Sequence, residues 1–117
     1  MSCVAVAAGF NMLDPVVGGL SASATKLRQA ISIAIDQEEF ISIFSNGRGI
    51  AAQGALPPGI FGYEAGEEGI DKQVYDWIDG QPKRKPVAYA RQLMAEAGYS
   101  NGRDAKTGEP LVVNLDT

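Results

Sequence analysis

The stretch that most constrains this chain is Lys26–Gly47, KLRQAISIAIDQEEFISIFSNG. Leu27, Ala30, Ile31, Ala34 and Ile35 recur at i, i+3, i+4, i+7 and i+8, which places them on one face of a helix. Lys26, Arg28, Gln29 and Ser32 fall mainly on the opposite side. The spacing predicts a helix over about residues 24–35, with Ser23 or Thr25 as its N-cap. Asp36 closes this helix and offers its carboxylate to the free N–H groups of a second one. Glu39 stands three residues later, which completes a capping-box pattern. The second helix, about residues 37–45, is expected to bury Phe40, Ile43 and Phe44. It stops at Asn46-Gly47, two residues that tolerate the positive φ of a helix C-cap.

The segments on either side are shorter and less regular. Cys3–Phe10, CVAVAAGF, is a brief run of small apolar residues and reads as a strand. Asp14-Pro15 turns the chain, because proline fixes its own φ and biases the preceding residue to an extended form. After the second helix, Arg48–Pro82 is punctuated by seven glycines and by Pro57-Pro58. It carries little periodicity but many apolar anchors, among them Leu56, Ile60, Tyr63, Val74, Tyr75 and Trp77. That is too apolar for a free linker, so it reads as a long ordered loop. Within it, Asp71–Ile78 reads as one or two helical turns that seat Tyr75 and Trp77. Pro86 suits a first helical position. Val87, Ala90, Leu93, Met94 and Ala97 then predict a helix over about residues 86–97, stopped by Gly98 at C′. Pro110–Leu115, PLVVNL, reads as a final strand.

Composition removes several classes of function. The 117 residues suffice for one modest domain. The chain has one cysteine, Cys3, and no histidine. Histidine-based zinc sites and Ser-His-Asp triads are therefore excluded within it, and Cys3 lacks a base to activate it. The formal net charge is −4 and the one tight basic cluster is Lys83-Arg84-Lys85, so no nucleic-acid partner is expected. No cofactor, metal or enzymatic site is expected: Glu38-Glu39, Glu67-Glu68 and Asp71 lack the spacing of a calcium loop and a convergent second group. Val4–Phe10 lacks the basic flank of a secretion signal.

Several motifs in order carry a family resemblance. Leu27-Arg28-Gln29-Ala30-Ile31, Ala34-Ile35-Asp36 and Asn46-Gly47 together resemble the bacterial family 5 extracellular solute-binding proteins, the oligopeptide- and dipeptide-binding components of ABC importers. Gly9-Phe10-Asn11-Met12 with Asp14-Pro15 resembles the strand and turn ahead of that helix. Leu56-Pro57-Pro58-Gly59 with Gly62-Tyr63 resembles a loop of the same family. Ala88–Tyr99, with its Glu96-Ala97-Gly98-Tyr99 ending, and Pro110-Leu111-Val112-Val113 resemble its next helix and strand. Met94 stands where leucine is usual, and Ser100 where proline is common.

The resemblance implies an α/β fragment, α+β in its local arrangement. It would belong to the lobe made of the central stretch of a two-lobed, periplasmic binding protein type II-like fold. It also implies a peptide ligand held between the lobes, an ABC permease as membrane partner, and a periplasmic or cell-surface location. The export signal would be missing because the chain is an internal piece. The family has members for nickel chelates, haem and sugars, so a second reading stands: a scaffold or permease-docking segment of a receptor for a non-peptide ligand. An isolated piece with exposed lobe-facing surface is expected to dimerise or exchange elements.

Candidate ligand contacts are Phe10, Asn11, Met12 and Tyr63. Phe10-Asn11-Met12 leaves a strand, and Asn11 offers both a donor and an acceptor. The alternative is that Phe10 and Met12 are core and Asn11 serves a turn. Tyr63, Tyr75 and Trp77 form an aromatic wall or else pack the loop. Arg28 is an anion clamp or a structural partner, and Gly47-Arg48-Gly49 is a weak match to an anion nest.

Overall fold

The computed structural model describes residues 8–115, and these fall into two units. Ala8–Ala34 and residues 86–115 form one unit, and Ile35–Lys85 the other. In chain order the regular elements are α1 (Ala22–Ala34), α2 (Gln37–Phe44), β1 (Tyr75–Ile78), β2 (Gln81–Arg84) and α3 (Val87–Glu96). Short 3₁₀ turns lie at Glu67–Gly69 and Ser100–Gly102.

In the first unit α1 packs on α3. The cap of α1 is Ser21, whose Oγ accepts from the Ala24 N–H at 3.1 Å. The helix therefore starts earlier than its spacing suggests, and neither Ser23 nor Thr25 caps it. The Ser23 hydroxyl instead donates to the Ala97 carbonyl at the end of α3. Ala24, Leu27, Ala30 and Ile33 are buried along α1, and Ala90 and Leu93 along α3, with Ala97 just beyond it. The small alanines on both helices permit a close approach.

The buried row on α1 follows an i, i+3 progression, so Ile33 is fully buried whereas Ile35 is 49% exposed. The expected stripe through Ala34 and Ile35 is thus displaced, because the helix ends at Ala34 and Ile35 lies past its last turn. Val17, Leu27 and Ala97 form the centre of this core, and Phe10, Val16, Ile31, Met94, Tyr99 and Leu111 pack around it. Full burial of a leucine contributes about 2 kcal/mol.

The segment ahead of α1 is held by polar side chains. Asp14 Oδ1 accepts from the N–H groups of Val16 at 2.7 Å and Val17 at 3.0 Å. Gly18 and Gly19 N–H groups return to the carbonyls of Asp14 and Met12. A Cβ on Gly18 would lie 2.5 Å from both of those oxygens, so only glycine fits there. At the other end of the unit α3 closes in a Schellman motif. The Gly98 N–H donates to Ala95 O, the Tyr99 N–H donates to Met94 O, and Gly98 takes φ 94°.

Of the two expected strands, one lies mostly outside the described residues and the other is reduced to a bridge. Of Cys3–Phe10 all but the last residues lie outside the described range, and residues 8–10 are in no regular element. Pro110–Leu115 is reduced to one bridge, Arg103 to Pro110, continued by a hydrogen bond from Leu111 N–H to Gly102 O at 2.8 Å. A strand needs a neighbour to satisfy its backbone groups, and none of the described residues beyond that bridge supplies one.

The second unit departs furthest from expectation. Asp71–Ile78 makes a single turn, with the Val74 and Tyr75 N–H groups both donating to Asp71 O. It then becomes β1, paired antiparallel with β2 in the register Tyr75–Arg84, Asp76–Lys83, Trp77–Pro82 and Ile78–Gln81. The connection is Asp79-Gly80 with φ of 54° and 74°. Positive φ at both central residues is the mark of a type I′ hairpin turn, whose twist matches that of its strands. Tyr75, Trp77, Pro82 and Arg84 share the covered face, while Asp76, Ile78, Gln81 and Lys83 face out.

The rest of Arg48–Pro82 is irregular but closely folded on itself. A Cβ on Gly69 would stand 1.8 Å from Glu64 O, and one on Gly54 would stand 2.6 Å from Gly69 O. The Asp71 N–H donates to Gln53 O, which ties the two ends of this loop together.

The expected burial on α2 is also not found: Phe40, Ile43 and Phe44 are 52%, 62% and 72% exposed. Asp36 caps the helix as its sequence suggests, but the described residues of its unit leave its apolar face open. Phe40 and Phe44 shield each other in part, their rings 4.8 Å apart between centroids.

Truncating Leu27 to Ala is expected to cost about 3 kcal/mol of unfolding free energy, read as a lowered urea midpoint at unchanged m-value. A loss below about 1 kcal/mol would mean that Leu27 is not the centre of its core.

Candidate functional site

The four candidate contacts divide between the two units. Phe10, Asn11 and Met12 belong to the α1–α3 unit and Tyr63 to the other. Phe10 packs against the core. Asn11 is exposed, and its Oδ1 accepts from the Leu13 N–H at 3.0 Å. It thereby builds the turn that lets the chain leave the core. Met12 is 43% exposed beside it. Tyr63 lines a pocket of about 20 Å³ together with Gln53, Pro58, Glu64 and Ile70. That volume admits one water and no more. The hairpin carries Tyr75 and Trp77 on its covered face, so Tyr75 is buried rather than part of an exposed aromatic wall.

The two arginine candidates are occupied differently from an anion site. Arg28 Nη1 donates to Val17 O and to Gly19 O, each at 2.8 Å, and its Nη2 donates to Thr25 Oγ1. It clamps the loop that precedes α1, replacing the water those carbonyls would otherwise need. The Arg48 N–H donates to Ser45 O at 2.8 Å, so this amide is committed to the α2 C-cap rather than to a nest. Among the described residues no group of three or more acidic or cysteine side chains is placed to hold a metal. No helix among them is long and apolar enough to cross a membrane.

The polar junction that sequence reasoning missed lies at Asp36, Arg84 and Tyr75. Asp36 Oδ1 accepts from the Glu39 N–H at 3.0 Å. Its Oδ2 lies 3.1 Å from Arg84 Nη2, and Arg84 Nη1 donates to Ile35 O. The Glu39 amide, more than Arg84, holds the Asp36 carboxyl below its ordinary value. Arg84, the middle residue of the Lys83-Arg84-Lys85 run, therefore ties β2 to the entry of α2. Lys85 also pairs, 3.7 Å from Asp76. Tyr75 stands opposite Arg84 in the hairpin. Its hydroxyl is buried without a hydrogen-bond partner among the described residues. Burial, and then the nearby Glu38 charge, push this phenol up. The available signal was Asp79-Gly80 flanked by alternating residues, which fixes the register and so sets Tyr75 against Arg84. In the other unit, Lys26 binds Glu96 at 2.6 Å and holds that carboxyl low, with Gln92 assisting. Both partners are well exposed, so the pair contributes little.

Residues 6–117 match the model of the bacterial extracellular solute-binding proteins, family 5, middle region. The chain belongs to this family. It is 38% identical over 77 residues to Heme-binding protein A of Haemophilus influenzae, a match that covers 66% of this chain and 12% of that protein. The chain thus spans a small part of the length of the relative it matches. No solved structure matches it.

Two outcomes follow from the Asp36 junction. Because the Asp36 carboxyl is lowered in the folded state, its contribution is complete above the ordinary value of 3.8 and is lost as the pH falls below that. Helical circular dichroism from α2 should therefore decline over this acidic range, and Asp36→Asn should flatten that decline; an identical acid profile in the variant would refute the role given to Asp36. Tyr75→Phe removes a buried hydroxyl that lacks a partner, so stability should hold or rise by up to about 1 kcal/mol. A loss of more than about 1 kcal/mol on urea unfolding would show that the hydroxyl is satisfied in solution.

Proposed function

We propose that the intact protein is the solute-binding component of an ABC importer, that it captures short peptides, and that this chain is part of the lobe formed by the central stretch of a two-lobed fold. The observation that carries this reading is the family match over residues 6–117. In this reading the protein works outside the cytoplasmic membrane, in the periplasm or at the cell surface, and hands its ligand to a membrane permease. It is a receptor rather than an enzyme.

The physics of capture is main-chain hydrogen bonding to an extended ligand, followed by hinge closure that excludes bulk water. The α1–α3 unit suits a scaffold for this purpose, because two of its charged side chains are spent on its own backbone: Arg28 on Val17 and Gly19, Asp14 on Val16 and Val17. Asn11, Met12 and Tyr63 are the exposed groups of the candidate set and the ones offered to a ligand. A non-peptide ligand is the second reading. It is favoured by the 38% identity to a protein named for binding haem.

Calorimetry of the full-length protein with a mixed library of short peptides, beside an absorbance titration with hemin, separates the two. The peptide reading expects heat from the library and an unchanged hemin spectrum. Hemin binding with a silent library would replace it with the second reading. Asn11→Ala and Tyr63→Ala are each expected to weaken peptide binding about fivefold, a loss of about 1 kcal/mol. Unchanged affinity in both would leave this chain a scaffold without ligand contacts.

A further inference from the structure

The chain contains two Asn-Gly pairs, Asn46-Gly47 and Asn101-Gly102. We infer that Asn46 is a site of spontaneous covalent modification, deamidating well ahead of Asn101 in the folded chain. In this reaction the Gly47 backbone nitrogen attacks Cγ of the Asn46 side chain. A C–N bond forms, the bond from Cγ to Nδ2 breaks, the amide proton passes to solvent base, and ammonia leaves. The product is a five-membered succinimide. Water then adds to one of its two carbonyls and opens the ring to aspartate or isoaspartate. Water is the only co-reactant. A following glycine favours the step in both pairs, since it presents no Cβ to hinder its own nitrogen. Any difference between the pairs must therefore come from how each is held.

Both asparagines are exposed and both sit in the left-handed region, Asn46 at φ 49° and Asn101 at φ 54°. In each pair the glycine N–H is engaged, so the attack requires that bond to open and the backbone to rotate. The Gly47 N–H donates to Ile41 O at 3.1 Å, an acceptor it shares with the Ser45 N–H at 3.0 Å. These bonds close the last turn of α2, a helix with no buried residue. Unwinding that turn exposes no core and so costs little.

Gly102 is held from both sides. Its N–H donates to Tyr99 O at 3.0 Å and its carbonyl accepts from the Leu111 N–H at 2.8 Å. Arg103 next to it bridges to Pro110. Tyr99 and Leu111 both pack on the core around Leu27. The turn itself buries no residue, but freeing the Gly102 nitrogen disturbs a segment anchored on both sides by residues that pack against that core.

The product at Asn46 alters its own surroundings. A carboxylate replaces a neutral amide at the C-terminal end of α2, where the helix dipole disfavours negative charge. Isoaspartate also inserts a methylene into the main chain at the helix cap. Deamidation should thus weaken the helix end that permitted it.

The test is peptide mapping of the full chain aged at pH 7.4 and 8.5, following the gain of about one dalton at each pair. The same mapping in concentrated urea removes the structural difference and supplies the intrinsic ratio. The expected result is a native Asn46 to Asn101 rate ratio at least about tenfold above the ratio in urea, with both rates rising with pH. A native ratio equal to the urea ratio, or faster conversion at Asn101, would overturn the inference.

Discussion

The structure of the α1–α3 unit depends on one contact surface, that between the two helices at Leu27. Leu27 is fully buried, and Val17 and Ala97 meet it from the loop ahead of α1 and the end of α3. Several polar devices in the unit serve that surface. Arg28 holds the loop that delivers Val17. Ser23 holds the carbonyl of Ala97, and the Schellman closure delivers Tyr99. Without the apolar contact these hydrogen bonds would only exchange water for protein, with little net gain. With it they fix which residues are brought to the core.

The second unit is organised by charge more than by burial. Among its described residues the buried side chains are Val74 and Tyr75, and the helix and strands are an eight-residue helix and a hairpin of two four-residue strands. Asp36 and Arg84 join them, with Arg84 reaching both the Asp36 carboxylate and the Ile35 carbonyl. The open apolar face of α2 and the glycine-dense loop belong to this unit. One unit is built on a shared helix core, while the described residues of the other leave the apolar face of α2 open.

Much of the framework was legible because helices declare themselves locally. The Leu27 periodicity, the Asp36 cap and the Gly98 stop each rest on residues within one or two turns of each other. What the periodicity could not say was which apolar residues find a partner. Phe40, Ile43 and Phe44 have the right spacing for burial and remain exposed, because burial depends on segments distant in sequence. The hairpin was missed for a different reason. Pro82 and Gly80 read as breakers, yet Asp79-Gly80 is the turn itself and Pro82 is tolerated in a two-stranded ribbon. The candidate contacts were legible only through family motifs. Nothing in the spacing of Asn11 or Tyr63 distinguishes a ligand contact from a turn residue or a loop anchor. Asn11 does form the turn, through Leu13.

Hydrogen exchange on the full chain tests most directly the claim that the Leu27 surface carries the stability of its unit while α2 is held at its ends, by its caps and the Arg84 pair, without a buried face. Amides of α1 and α3 should be protected together, at least about a hundredfold more than those of α2, because opening them requires breaking the shared core. Equal protection across α1, α2 and α3 would contradict this account, since α2 would then be held by a core of its own.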